Sequence, residues 1–201
     1  MISVLERATR RSVSRETLDR LRLYSDRVKA ENAVQNLVSP ATLDSWWERH
    51  IVDSAQLVRF EPGAGASWVD IGSGAGLPGI VIACLVEGPI TLVEPRRLRA
   101  EFLRRMVGEL ALRAKVEPAS AGRIQGKFDV ITGRAVASLP RFLELCDHLS
   151  TKNTVWVLPK GRSAQSELAR ARQTWQGDFR VEPSVTDADA KIVVATKVRA
   201  G

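Results

Sequence analysis

The run Trp68-Val69-Asp70-Ile71-Gly72-Ser73-Gly74-Ala75-Gly76-Leu77-Pro78-Gly79-Ile80-Val81 restricts the architecture more than any other part of the chain. A short apolar stretch enters a glycine cluster, and a second apolar stretch leaves it and runs to Val86. That is the pattern of a buried strand, a tight turn and a helix. Gly72, Gly74 and Gly76 lack a Cβ, so the backbone there can take positive φ and a ligand can lie against bare peptide. A strand feeding a helix through such a turn is where an α/β sheet holds nucleotide-like ligands.

The spacing discriminates between ligands. A dinucleotide fingerprint reads Gly-x-Gly-x-x-Gly and sets a pyrophosphate on the helix N-terminus. Here the pattern is Gly72-x-Gly74-x-Gly76, and Leu77 stands where the third glycine belongs. Asp70 precedes the turn and is expected to aim a negative charge near the cofactor edge. A cationic ligand without phosphate suits this better, and S-adenosylmethionine carries a sulfonium and an ammonium group. A second strand, Ile90 to Glu94, ends in an acid 22 residues after Gly72, close to the roughly 20 expected for a ribose-binding carboxylate. Glu94 either takes both ribose hydroxyls or simply pairs with Arg96 or Arg97.

The rest of the chain alternates strand and helix signals, as in a mostly parallel sheet with helices on both faces. Strands are expected near 67–71, 89–94, 115–119, 127–132, 153–158 and 191–198, and helices near 77–86, 96–111, 138–148 and 163–175. The last strand is free to run antiparallel, and Val181 to Asp189 is ambiguous. In the 96–111 helix, Leu98, Phe102, Met106 and Leu110 form the expected core stripe, with Arg97 and Arg104 outside it. Residues 1–60 form a separate helical extension, and residues 61–201 the sheet domain. In the extension Ser14 or Ser12 caps a helix burying Leu18, Leu21 and Val28. Asn32 to Pro40 reads as a polar break, and a second helix carries Trp46, Ile51, Ala55 and Val58.

Thirty basic residues against 23 acidic give a net charge of +7. Most are arginines, whose planar forks match phosphate oxygens in pairs. The charge points to a polyanionic partner, nucleic acid above all, unless it is only a soluble cationic surface. No apolar run approaches the about 18 residues that span a membrane. No signal peptide is visible, so a cytoplasmic setting is expected. Two cysteines, Cys84 and Cys146, read as reduced core thiols, and with only His50 and His148 no metal site is expected.

Several short runs combine: Asn36-Leu37, Arg49-His50-Ile51-Val52-Asp53-Ser54, Asp70 to Gly79, Phe102-Leu103, Asp129 to Ala137 with its Arg134-Ala135-Val136-Ala137, and Lys160-Gly161. In that order and spacing, from about residue 30 to 165, the chain resembles the bacterial small-subunit rRNA methyltransferase G family, also called glucose-inhibited division protein B. The resemblance implies a class I, Rossmann-like S-adenosylmethionine-dependent methyltransferase with a six- or seven-stranded sheet and an N-terminal helical extension. It implies methylation of N7 of guanine 527 in 16S rRNA. By position it carries cofactor contact to Gly72, Leu77 and Arg134. The family's Arg-Ala-Glu after the third strand reads Ser120-Ala121-Gly122-Arg123 here, without the glutamate, so adenine contact passes to the Ala121 and Gly122 backbone. The segment from Ala121 to Lys127 is also short for a crossover helix.

Guanine N7 is a lone-pair acceptor on the base edge. It carries no proton, so no general base is required, and no Ser-His-Asp or paired-carboxylate arrangement stands out. Arg134 at a strand end holds a phosphate or a guanine oxygen, or else an internal ion pair with Asp70 or Asp129. Arg49, His50 and Lys160 are expected to meet near the pocket mouth and hold RNA phosphates, while His50 alone would read as a structural histidine bonded to Asp53. Trp46 and Trp47 read as core and as partly exposed packing more than as base-stacking platforms. The expected partner is 16S rRNA or a small-subunit precursor, with no membrane, and the expected state is a monomer. A small-metabolite methyltransferase and a non-catalytic RNA-binding protein are the rival functions; a nicotinamide enzyme is disfavoured by Leu77 and Asp70.

Overall fold

The structure is a computed structural model and describes residues 1–201. Seven strands form one sheet: β1 Trp68–Ile71, β2 Ile90–Val93, β3 Ala114–Glu117, β4 Val130–Thr132, β5 Val155–Lys160, β6 Trp175–Pro183 and β7 Lys191–Ala200. Their order across the sheet is β3-β2-β1-β4-β5-β7-β6. The first five run parallel, and β7 pairs antiparallel with both β5 and β6. Strand order reverses at β1, where the sequence runs outward to β2 and β3 on one side and to β4 and β5 on the other. A crevice at the carboxyl ends of β1 and β4 is therefore the place this topology offers a ligand.

Alternation along the strands divides the core in two. Trp68, Ile90, Leu92, Val130, Val157 and Val194 face one layer of helices. Val69, Ile71, Val93, Ile131, Trp156 and Val193 face the other. The first layer holds α4 Gly79–Ala83 and α5 Arg97–Glu109; the second holds α6 Leu139–Cys146 and α7 Ala164–Ala171. Between β3 and β4 there is only a tight turn, Ala121–Arg123.

The first sixty residues cover the first layer. The helices α1 Ile2–Thr9 and α2 Arg15–Gln35 bury Leu5, Leu18, Leu21, Tyr24 and Val28 in the same cluster as Trp68 and Leu92. Ser14 caps α2, accepting the Thr17 amide at 3.0 Å, and Asn36 ends it in a left-handed turn. Trp47–Val52 is a wide π-type turn, followed by α3 Asp53–Ala55 and a 3₁₀ segment, Gln56–Phe60. Trp46, Ile51, Ala55 and Val58 are all buried along it. No helix is long and apolar enough to cross a membrane.

Several expectations are corrected. The polar stretch from Asn32 begins inside α2, because Asn32 is buried and its side-chain oxygen accepts the Val38 amide at 2.8 Å. The helix expected over 163–175 stops at Ala171, and Trp175 opens β6, a strand the sequence pattern does not show. Leu98 is 55 % exposed rather than part of the core stripe, because it sits in the first turn of α5, beyond the buried Phe102, Leu103 and Met106.

Tyr24 ties the helical cover to the glycine turn: its buried hydroxyl donates to the Ala75 carbonyl at 2.9 Å. Tyr24→Phe leaves that carbonyl unpaired without changing shape. It is expected to lower unfolding free energy by about 1–2 kcal/mol, read from urea denaturation midpoints.

Candidate active site

The β1–α4 turn has positive φ at Gly72 (+69°), Gly74 (+56°) and Gly76 (+100°). A Cβ on Gly76 would lie 2.6 Å from Ile80 Cγ1 and 3.1 Å from the Tyr24 hydroxyl. The glycine that permits close helix–strand packing is Gly79, two residues beyond Leu77. A Cβ there would strike Leu92 and lie 2.6 Å from Asp70 Oδ2. Leu77 itself turns its side chain into the core, so only its backbone faces the turn.

The turn's amides are occupied from within at every residue from Gly72 to Leu77 except Ala75. Gly72 and Ser73 donate to the Val93 carbonyl, Gly76 and Leu77 to the Ser73 carbonyl, Gly74 to Glu94 and Gly79 to Asp70. A phosphate cradle needs such amides free and convergent. Here they are not, which removes the pyrophosphate reading. Asp70 does not project toward a ligand as expected. It is buried beneath the turn, where Oδ2 accepts the Gly79 amide at 3.0 Å and Oδ1 has no partner. Burial pushes its carboxyl up to about 7.

Glu94 ends the neighbouring strand and is also buried. Its Oε2 accepts the Gly74 amide and its Oε1 the Arg96 amide, both at 2.9 Å. Neither the Arg96 nor the Arg97 side chain pairs with it; Arg97 bonds Glu101 instead. Ala121 and Gly122 follow the carboxyl end of β3. Ala121 is buried, and a Cβ added to Gly122 would meet nothing within 4 Å.

Beyond β4 the chain passes over the glycine turn, with Val136 close enough that a Cβ on Gly72 would lie 2.9 Å from its Cγ2. The same loop borders a cavity of about 310 Å³, lined in part by Asp53, Arg134, Ala137, Lys160 and Glu167. Arg134 pairs with neither Asp70 nor Asp129. Its Nη1 lies 3.6 Å from Asp53 Oδ2, and its Nη2 donates to His50 Nδ1 at 3.2 Å. Asp129 instead accepts the amide and hydroxyl of Ser67, bonds that hold its carboxyl below the usual range.

His50 does not bond Asp53. Its Nε2 lies 2.9 Å from the Thr42 hydroxyl, and its ring sits 4.7 Å from that of Trp46. Trp46 is core, donating to Ser25 Oγ at 2.9 Å, and Trp47 is half-buried. Arg49 is exposed, with its carbonyl turned toward Arg134. Lys160 ends β5 rather than following it. It is held by Glu167 at 3.1 Å and by the Ala137 carbonyl at 2.9 Å. Arg134 and Lys160 thus share one cavity, and His50 joins through Arg134.

The sequence pattern alone does not single out Tyr24, Gly79, Asp53 or Glu167. Gly79 stands inside the quoted run, and Tyr24 is the one tyrosine of the chain, three residues after the buried Leu21 on the apolar face of α2. Asp53 stands in the quoted run Arg49 to Ser54, but as a partner for His50 rather than for Arg134, and nothing local marks Glu167.

Burial, with the adjacent Arg134 and Arg49 charges, lowers His50 to about 4. The folded protein therefore resists a proton that the unfolded chain takes up near 6.5. Stability from this site is full above that value and falls as pH drops toward 4. Between pH 7 and pH 5 the loss is about 2 kcal/mol. Urea unfolding of the wild type and of His50→Gln at both pH values isolates it: the variant should lack this part of the acid sensitivity.

A family model described as rRNA small subunit methyltransferase G matches residues 17–193. The ribosomal RNA small subunit methyltransferase G of Sphingopyxis alaskensis is 48% identical over 170 residues, covering 83% of this chain and 73% of that one. The protein of the same name from Zymomonas mobilis is 42% identical over 195 residues, covering 92% and 88%. Among solved structures, a SAM-dependent methyltransferase from Aquifex aeolicus matches with a TM-score of 0.61 at 14% identity, covering 86% of this chain and 97% of that one. A mutant of MtNAS in complex with S-adenosylmethionine matches with a TM-score of 0.58 at 17% identity, covering 90% and 71%. These two likenesses establish the fold as that of class I S-adenosylmethionine-dependent methyltransferases. With a family match across most of its length and relatives above 40% identity, the chain belongs to the rRNA small subunit methyltransferase G family.

Proposed function

We propose that the chain transfers a methyl group from S-adenosylmethionine to N7 of guanine 527 in the 16S rRNA of the small ribosomal subunit. Family membership supports the rRNA substrate. The observation that carries the site is the Glu94 carboxylate bonded to the Gly74 amide at 2.9 Å, in the fork between β1 and β2.

The residues fit that cofactor. Each Glu94 oxygen accepts one backbone N–H and keeps a lone pair for a ribose hydroxyl. A Cβ on Gly74 would have no neighbour nearer than 3.8 Å, so its peptide face is open. Gly72 and the Leu77 backbone would border the amino-acid portion. The backbone at Ala121 and Gly122 would take the adenine, for which Gly122 leaves space. Bound there, S-adenosylmethionine supplies a methyl group on an electrophilic sulfonium.

The chain's own contribution is placement. Guanine N7 carries no proton to remove, so no side chain acts as a base. Aligning two reactants in this way is worth about 7–11 kcal/mol of barrier. Arginines or lysines follow the carboxyl ends of successive strands: Arg96 and Arg97 after β2, Arg123 after β3, Arg134 after β4, with Lys160 closing β5. Arg96 and Arg123 are exposed and have no ion pair. Together with Arg49 beside Arg134 they form a cationic rim for phosphates, while the neutral His50 holds Arg134 in place. Lys160 keeps one of its three N–H groups for the same purpose.

Mass spectrometry of 16S rRNA from a deletion strain tests the reading. Loss of one 7-methylguanosine supports it, and an unchanged modification profile refutes it. Two variants test the cofactor site by isothermal titration with S-adenosylmethionine. Gly72→Val fills the space under Val136 and forces a branched residue to positive φ; binding should vanish. Glu94→Gln retains shape but sets an amide against the Gly74 or Arg96 N–H, and affinity should fall at least about tenfold. Wild-type affinity in both would remove the assignment.

A further inference from the structure

The cavity beside Arg134 contains two carboxylates, and they differ in how fully they are used. Glu167 is saturated: Oε1 accepts the Ser163 hydroxyl at 2.7 Å, and Oε2 accepts the Leu139 amide at 2.7 Å and Lys160 at 3.1 Å. Asp53 is saturated on one side only. Its Oδ1 accepts Gln56 Nε2 at 2.9 Å and the Thr186 hydroxyl at 3.0 Å, which fixes the plane of the carboxylate. Its Oδ2 faces Arg134 Nη1 at 3.6 Å, too far for a hydrogen bond. An acceptor and a donor thus stand side by side at the cavity wall as an ion pair without a direct hydrogen bond, Nη1 also facing the Arg49 carbonyl at 3.5 Å. Two residues further on, Val136 lies against Gly72.

Such a pair complements a base edge that presents an acceptor next to a donor. Guanine does so with O6 and N1–H, and uracil with O4 and N3–H. Adenine and cytosine present the reverse order. Uracil has no N7, so of the bases with the matching edge only guanine can be the substrate. We propose, resting on the guanine N7 reading above, that Asp53 and Arg134 select the target base: Arg134 donates to O6, and Asp53 Oδ2 accepts N1–H. Arginine more commonly grips O6 and N7 together. That grip would block the nucleophile. Moving the second contact from N7 to N1–H holds the base equally well and leaves the N7 lone pair open.

The pair is also placed to depend on the whole fold. Asp53 comes from the helical cover, Arg134 from the end of β4, and Thr186 from the connection between β6 and β7. Gln56 anchors that connection, since its Oε1 accepts the Val185 amide at 2.9 Å.

The test is an exchange of hydrogen-bond polarity. In Asp53→Asn, Gln56 and Thr186 both donate to the Oδ1 position and so keep the new carbonyl there. The amide NH2 then takes the place of Oδ2, a donor facing guanine N1–H. The position that the wild-type enzyme methylates is first mapped, and small-subunit RNA is then prepared with guanine or 2,6-diaminopurine at it. Diaminopurine keeps N7 but presents an amine at C6 and an acceptor at N1. For Asp53→Asn, kcat/KM on guanine should fall about 10- to 100-fold. The ratio of diaminopurine to guanine methylation should rise by about tenfold or more. S-adenosylmethionine affinity by calorimetry should stay at the wild-type value. Thr186→Val, which only loosens the carboxylate, should show a smaller fall on guanine and unchanged cofactor affinity, and keeps the test open should the first variant not fold. An unchanged base ratio in Asp53→Asn, or a fall in cofactor affinity equal to the fall in rate, overturns the proposal. Wild-type RNA that gains no 7-methylguanosine overturns the underlying function instead.

Discussion

The turn between β1 and α4 is held by the strand that feeds it and by two segments distant in sequence, and its shape depends on all three. Asp70 secures the Gly79 amide from below, Glu94 the Gly74 amide from the next strand, and Tyr24 the Ala75 carbonyl from the N-terminal cover. With the amides of Gly72, Ser73, Gly76 and Leu77 bonded to Val93 and Ser73 carbonyls, all but the Ala75 amide are held before any ligand arrives. The loop offers few free N–H groups, and the Glu94 carboxylate stands at its edge. That inverts the electrostatics of a dinucleotide loop of nearly the same spacing, and it suits a cation.

This arrangement makes the first sixty residues part of the support of the glycine turn rather than an appendage. Their apolar face completes the core over Trp68, Ile90 and Leu92, and Tyr24, His50 and Asp53 each reach residues of the strand ends or the loops that follow them. The π-type turn at Trp47–Val52 brings Arg49, His50 and Asp53 close together, where Arg134 touches all three.

How much can be read from the amino acids follows distance along the chain. The glycine turn and Glu94 are legible because strand, turn, helix and acid fall within one βαβ unit. The parallel order of the central strands follows from alternation alone, and the short β3–β4 connection from a simple count of residues. Arg134 stands out in the sequence, but Asp70 and Asp129 are the wrong partners for it. The actual one, Asp53, lies 81 positions earlier in the chain and arrives only when the helical cover packs. β6 escapes notice because Gln176, Asp178 and Arg180 are exposed, Glu182 is only half-buried, and Gly177 and Pro183 punctuate it, so it looks like a loop until β7 supplies its ladder. Leu98 is misplaced by its spacing, since periodicity reports the phase of a stripe and not where the cover over it ends.

The missing helix between β3 and β4 leaves its mark on the outermost strand. With no helix to bury the second face there, β3 carries Lys115 and Glu117 in register with Thr91 and Val93, and the two charges pair at 3.1 Å. Only four residues long and lined with charge on its bare side, this border makes a poor template for a foreign strand. A gap in the helical layer is thereby reconciled with resistance to edge-to-edge aggregation.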